Sequence, residues 1–232
     1  MDLDNAAGQP ECRLLQLPPE LRNQIWELLL IQNTHATRTY PSLCGSKALS
    51  DMPEHIRRRR RFCANILQTC KQVNTEGTPI LYGENLFQAH TSLLTAMPRF
   101  LAYTYPGKVT LPDPITAPRV AKLIRKYSIH VRLDTDPRFS RKQVEESFSG
   151  VEELEIDVFQ AMYGSCDFSV LNLFEDVRGV GKVNIQGSLG DGKYAAWLTD
   201  LLRQPVGTPA VPYTEQYVGG MWSWDAWSNG NR

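Results

Sequence analysis

The chain has 232 residues and a mass of 26.3 kDa, enough for one sizeable core or for a small module joined to a domain. Lys and Arg number 25, as do Asp and Glu, so the formal net charge is zero and no global field draws the chain toward nucleic acid or an anionic membrane. The composition, 42% hydrophobic and 22% charged, is that of a globular protein; no apolar run approaches the ~20 residues of a membrane span, and the acidic start Met1-Asp2-Leu3-Asp4 resembles neither a signal peptide nor a transit peptide.

Residues 1–12 are polar and small and are expected to be a disordered N-terminus. Residues 13–87 read as a helical module with an insertion at 33–62. In RLLQLPPELRNQIWELLLI, Pro19 suits the first helical position, where no intrahelical N–H is lost, and Glu20 complements the helix dipole. Leu21, Ile25, Leu28 and Leu29 fall three or four apart and predict one apolar face. Trp26, Leu30 and Ile31 widen that stripe, so the helix either lies deep in a core or meets a second partner. The insertion holds five consecutive arginines, Arg57 to Arg61; a solvated basic loop is the plain reading, with nuclear import and nucleic-acid contact as alternatives. In ILQTCKQVNTEGTPILYGENLF, Ile66, Leu67, Cys70 and Val73 share a helical face. Thr78-Pro79 reads as the cap and first residue of a second short helix over Ile80–Tyr82, stopped by Gly83, with a sharp corner near Gly77.

Residues 88–203 predict a strand–helix domain. SLLTAMPRFLAY (92–103), kinked at Pro98, and APRVAKLIRKY (117–127) read as helices. KYSIHVRL (126–133), ELEIDVFQ (153–160) and KVNIQGSL (182–189) read as strands whose central residues, Ile129, Ile156 and Ile185, lie 27 and 29 residues apart. Helical patterns at 141–148, 170–179 and 194–202 separate and follow them. That alternation implies a parallel sheet with helices on one side. The spacing lies inside the leucine-rich-repeat range of roughly 20–29 residues, but the consensus Asn or Cys is irregular; a leucine-rich-repeat-like array and a plain βαβ layer both fit. The fold class is therefore mixed α/β. Residues 204–232 form a Pro- and Gly-spaced tail, expected to be loose, that carries Trp222, Trp224 and Trp227. Three indoles in so polar a stretch either fold back over Trp197 and Leu201 as a cap on the last repeat or occupy a groove on a partner.

Chemistry-bearing patterns are few. Cys12, Cys44, Cys63, Cys70 and Cys166 include no C-x-x-C pair and read as reduced thiols of a cytoplasmic or nuclear protein. Cys44, His55, Cys63 and Cys70 have no zinc-ligand spacing. GSLGDGKY (187–194) resembles a phosphate-binding loop, but Tyr194 stands where Ser or Thr would hold magnesium, so an ordinary turn is expected. His130 alternates with Ile129 and Val131 and is expected to face outward, and Glu145-Glu146 and Glu152-Glu153 read as solvated faces. No catalytic, metal or cofactor-binding residue is expected, no cofactor, and no enzymatic activity.

Leu17, Pro18, Glu20, Leu21, Arg22, Asn23, Ile25, Trp26, Glu27 and Leu28, then Leu67, Thr69, Cys70, Lys71, Gln72, Val73 and Glu76, then Pro79 to Tyr82, Asn85 and Phe87 together resemble the F-box-like module of a large family of fungal proteins. IRKYSIHVRL (124–133) and VRGVGKVNIQGSLGDGKYAAWLTDLL (177–202) also resemble that family, so the likeness covers roughly residues 13–202. It implies a protein-interaction adaptor, the substrate receptor of an SCF-type ubiquitin ligase. Leu17, Pro18, Leu21 and Ile25 would then anchor a Skp-type adaptor, while the C-terminal domain would hold an unknown protein substrate. Neither membrane nor nucleic acid is expected as a partner. The alternative is a self-contained scaffold in which the F-box-like helices are core.

Overall fold

The computed structural model describes residues 12–31, 63–101, 103–105, 108–110, 112–160, 168–209 and 211–213. The insertion from residue 33 to 62 and the three tail tryptophans lie outside them. The chain divides between Asn85 and Leu86 into two compact units.

The first unit is built on two helices. Helix α1 (Pro19–Leu30) starts with Pro19 at its first position and carries Glu20 in its first turn, as the dipole favours. Its last carbonyls are satisfied by chain from elsewhere in the unit: Cys63 N–H donates to Leu29 O at 2.8 Å, and the buried Asn85 amide donates to both Leu30 O and Leu81 O at 2.8 Å. A 3-10 turn over Ala64–Gln68 leads into α2 (Lys71–Glu84). This helix runs unbroken through Thr78-Pro79, which corrects the corner and second helix expected there. Its buried stripe, Val73, Gly77 and Leu81, keeps one face across the proline. Packing of that stripe outweighs the ~3 kcal/mol penalty of an interior proline. Gly77 is needed for contact rather than for a turn. A β-carbon there would stand 2.5 Å from the Leu67 side chain and 2.9 Å from that of Leu30.

The second unit is a five-stranded sheet in the order β2-β1-β5-β6-β7. Strand β1 (Phe87–His90) pairs antiparallel with β2 (Leu94–Phe100) and parallel with β5 (Lys126–Arg132). Strands β5, β6 (Glu153–Phe159) and β7 (Lys182–Gly187) continue in parallel. The aligned isoleucines are direct neighbours, Ile129 with Ile156 and Ile156 with Ile185. A separate two-stranded hairpin joins β3 (Tyr103–Tyr105) to β4 (Lys108–Thr110).

The helix expected over 92–103 is therefore strand. The His90 imidazole Nδ1 accepts from Ser92 N–H and Leu93 N–H, both at 3.1 Å, and turns the chain back. Phe87 then pairs with Phe100, their rings 4.8 Å apart. Pro98 is tolerated because β2 is an edge strand; its carbonyl accepts from Ile115 N–H at 2.8 Å. The helix expected over 117–127 shrinks to α3 (Pro118–Ala121), since Lys126 and Tyr127 already belong to β5. The one expected over 170–179 shrinks to a 3-10 turn at Leu171–Phe174.

Tyr127, Ile129, Val131, Leu154, Ile156, Val158 and Val183 are buried along one face of the parallel strands. Helix α4 (Arg141–Phe148), started by a Ser140–Gln143 capping box, adds Val144 and Phe148 to that core. Phe148 lies between Tyr127 and Phe174, ring centres 6.0 Å from each. Helix α5 (Lys193–Arg203) adds Leu198, Leu201 and Leu202.

Candidate functional site

Helix α1 presents two stripes. Arg22, Trp26 and Leu30, each four residues apart, are buried. Leu21 and Ile25, one position before Arg22 and Trp26, and Leu28, one turn further on, are not: Leu21 is 45% and Leu28 85% exposed, and Ile25 is half-buried. The apolar face expected from Leu21, Ile25, Leu28 and Leu29 is thus the outer one. The buried stripe carries an arginine in register with Trp26 and Leu30. Ahead of the helix, Leu17 is half-buried and Pro18 exposed. Leu17, Pro18, Leu21 and Ile25 consequently lie along the corner and outer face of one element, continued by Leu28.

A polar cluster holds this corner from beneath. Glu76 of α2 accepts four hydrogen bonds: from Arg22 Nε at 3.0 Å, Arg22 Nη2 at 2.7 Å, Trp26 Nε1 at 3.0 Å and Gln72 Nε2 at 3.0 Å. The Arg22 hydrogen bonds hold the Glu76 carboxyl down to about 2, with Gln72 and Trp26 adding to the effect. The same hydrogen bond raises the Arg22 guanidinium above its ordinary value. Arg22 Nη1 also donates to the carbonyls of Leu15, at 3.2 Å, and of Leu17. Charge-assisted, fork-like pairs of this kind are stronger than neutral hydrogen bonds. Arg22, Trp26 and Glu76 belong to the motif residues of the family resemblance; periodicity places Trp26 on the widened apolar stripe but assigns Arg22 and Glu76 no role, and the one signal for Arg22 was a charged side chain in register with Trp26 and Leu30.

The remaining candidates belong to the second unit. His130 faces outward, its Nδ1 2.9 Å from Asp157 Oδ2 on the neighbouring strand. That hydrogen bond raises the imidazole above its ordinary value of 6.5. The charged histidine is therefore favoured in the folded state. Its stabilisation is complete below pH 6.5 and is lost as pH rises through the raised value. Because both groups are well exposed, the loss on going from pH 6 to 8 is expected to stay below about 1 kcal/mol. Denaturant midpoints measured across that interval check it, and His130→Gln should flatten the trend.

The glycine-rich string turns the chain into α5. Gly187 has φ +105°, and a β-carbon there would run into the Val158 carbonyl. Lys193 N–H is taken by Asp191 Oδ1 at 3.1 Å. Tyr194 is buried, with its hydroxyl 2.7 Å from Asn172 Oδ1 and 2.8 Å from Glu175 Oε1. Burial first, then Glu175, raises that hydroxyl far above its ordinary value. Arg141 closes the group on Glu175 and Asp176 at 3.3 and 3.2 Å. Every polar member is engaged in holding α4, the 171–174 turn and α5 together. Among the described residues, Cys12, Cys63 and Cys70 are free thiols and no three His, Cys, Asp or Glu side chains could hold a metal ion. Cys44, His55 and Cys166 lie outside them. No helix among the described residues is long and apolar enough to cross a membrane.

A family model described as "Domain of unknown function (DUF7730)" matches residues 7–157, well over half of the chain, from ahead of the Leu17–Pro18 corner into β6. No curated protein and no solved structure matches the chain.

Proposed function

The chain belongs to the DUF7730 family, and we propose that it is a protein-interaction adaptor whose partner seats on the outer face of α1. Its partner on this reading is the Skp-type adaptor of an SCF-type ubiquitin ligase, with Leu17, Pro18, Leu21 and Ile25 as anchors. The second unit would hold the protein substrate. The observation that carries the reading is the split of α1 into a buried stripe and an exposed apolar one, with Leu28 85% exposed. A helix with a satisfied inner stripe gains nothing in the free chain by a second line of leucines. Exposed apolar rows of this kind mark docking faces. The F-box-like character of the first unit and the leucine-rich-repeat-like character of the second are part of the proposal. Support for a substrate surface on the second unit comes from the polar row His130–Asp157–Gln186 across the parallel strands, which faces outward.

The test is capture of a purified Skp-type adaptor and cullin by the full chain. Leu17→Ala combined with Pro18→Ala should abolish capture while changing stability by no more than about 2 kcal/mol, as expected for a half-buried and an exposed site. Calorimetric binding and chemical denaturation of the same variant check both halves. Unfolding of the double variant, or no binding by the unaltered chain, would instead favour a self-contained scaffold.

A further inference from the structure

We propose that Arg22 and Glu76 form a latch that presets the Leu17–Pro18 corner for its partner, so that the anchor segment owes its shape to α2, whose Glu76 lies 54 residues beyond Arg22 in the chain. The identity of the partner rests on the adaptor reading above; the latch rests on geometry alone. The turn ahead of α1 is held by few bonds of its own: Leu15 N–H and Gln16 N–H donate to Cys12 O at 3.0 and 3.2 Å, and Leu17 N–H to Leu14 O at 3.3 Å. The carbonyls of Leu15 and Leu17 are gathered by one nitrogen, Arg22 Nη1. A guanidinium is planar and rigid, so fixing one edge aims the other. Here Nε and Nη2 sit in the fork of Glu76 at 3.0 and 2.7 Å, and that carboxylate is itself held by Trp26 and Gln72. Nη1 is thereby pointed at the two carbonyls that flank the corner.

Pro18, at φ −51° and ψ 145°, already has little freedom, and a residue before proline is confined to extended backbone. With Leu17 O pinned, the corner and the first turn of α1 form one preset shape, and a partner pays less ordering entropy on binding. Arg22 and Glu76 touch no partner in this scheme; they are positioning residues. A lysine at 22 keeps the charge but cannot hold the carboxylate and both carbonyls at once.

The experiment compares the full chain with Arg22→Lys, Glu76→Gln and, as control, Thr75→Ala, an exposed residue of α2 whose hydroxyl donates to Lys71 O at 2.9 Å, outside the Arg22–Glu76 fork. Two quantities are read: amide hydrogen exchange along residues 12–31 and 71–84, and affinity for a purified Skp-type adaptor. In the first two variants the amides of Leu15, Gln16 and Leu17 should accelerate about tenfold more than those of Val73 to Leu81, because a local opening is being read on top of any global loss of stability. Adaptor affinity should fall about tenfold, and the control should match the unaltered chain. Unchanged exchange of the turn in Arg22→Lys, or equal acceleration throughout α2, overturns the latch. If Glu76→Gln does not fold, Arg22→Lys decides alone. Failure of the unaltered chain to bind the adaptor overturns the functional reading, while the exchange data still decide the latch.

Discussion

Glu76→Ala should destabilise the first unit by about 2–4 kcal/mol, well beyond an ordinary surface change. Removing the carboxylate leaves the Arg22 guanidinium buried with only the Leu15 and Leu17 carbonyls, and leaves Trp26 Nε1–H without its acceptor. Breaking one side of a buried pair in this way is far more damaging than replacing both sides. The figure sits below the range for fully buried pairs because the Glu76 side chain is still 22% exposed. Urea unfolding followed by exchange of α2 amides measures it. Replacing Arg22 and Glu76 together by apolar residues should recover part of the loss, since no unpaired charge then remains.

The same carboxylate gives the first unit an acid transition of definite sign. Glu76 falls from its ordinary 4.5 to about 2 on folding. Its contribution is therefore whole above pH 4.5 and disappears as pH falls through 2. The contribution is on the order of 2 kcal/mol once partial solvent access is allowed for. Glu76→Gln removes the ionisable group, so its stability should lose this part of the acid slope. His130 acts oppositely, weakening the second unit as pH rises. The two units should thus respond to opposite ends of the pH scale.

The parallel strands were legible because nothing competes with their pattern. Short apolar runs at 126–133, 153–160 and 182–189 are bounded by turns, and their isoleucines align across three strands. Strand β2 was not legible, because Leu94, Met97 and Leu101 recur at helical spacing. What makes it a strand is the pairing of Phe87 with Phe100 and the turn held by His90, both non-local or side-chain effects. The continuity of α2 was hidden for a similar reason: Pro79 breaks a helix locally, while Val73, Gly77 and Leu81 reward its continuation through packing. On α1 the helix and its start were readable from Pro19 and Glu20, but the buried face was not. Periodicity counts Arg22 as polar and outward, and only the fork of Glu76 makes it an interior residue.

Truncation after Gln204 should lower the stability of the second unit by roughly 3–5 kcal/mol and leave the product prone to aggregate. The described start of the tail is not loose. Arg178, 4% exposed, lies among carbonyls rather than carboxylates: Nη1 donates to Glu175 O at 2.5 Å and Val177 O at 2.7 Å, and Nε to Thr208 O at 3.1 Å. Five residues on, Tyr213 packs edge-on against Tyr194 with ring centres 5.2 Å apart and against Trp197 at 5.3 Å. Losing the Thr208 acceptor forfeits a charge-assisted bond of ~1.5–3 kcal/mol. Losing Tyr213 forfeits ring contacts of ~0.5–1.5 kcal/mol each and bares Trp197 to water. Trp222, Trp224 and Trp227 lie outside the described residues, so Tyr213→Ala and Arg178→Met in the full chain separate the two parts of the tail. If these changes account for most of the loss, residues 205–213 are the cap on α5. Arg178→Met should then cost less in the truncated chain than in the full one, because the bond it removes is already gone. Thermal melts of the five proteins (unaltered, truncated, Tyr213→Ala, and Arg178→Met in the full and in the truncated chain) decide it, and equal melting temperatures before and after truncation would show that the tail adds nothing to the fold.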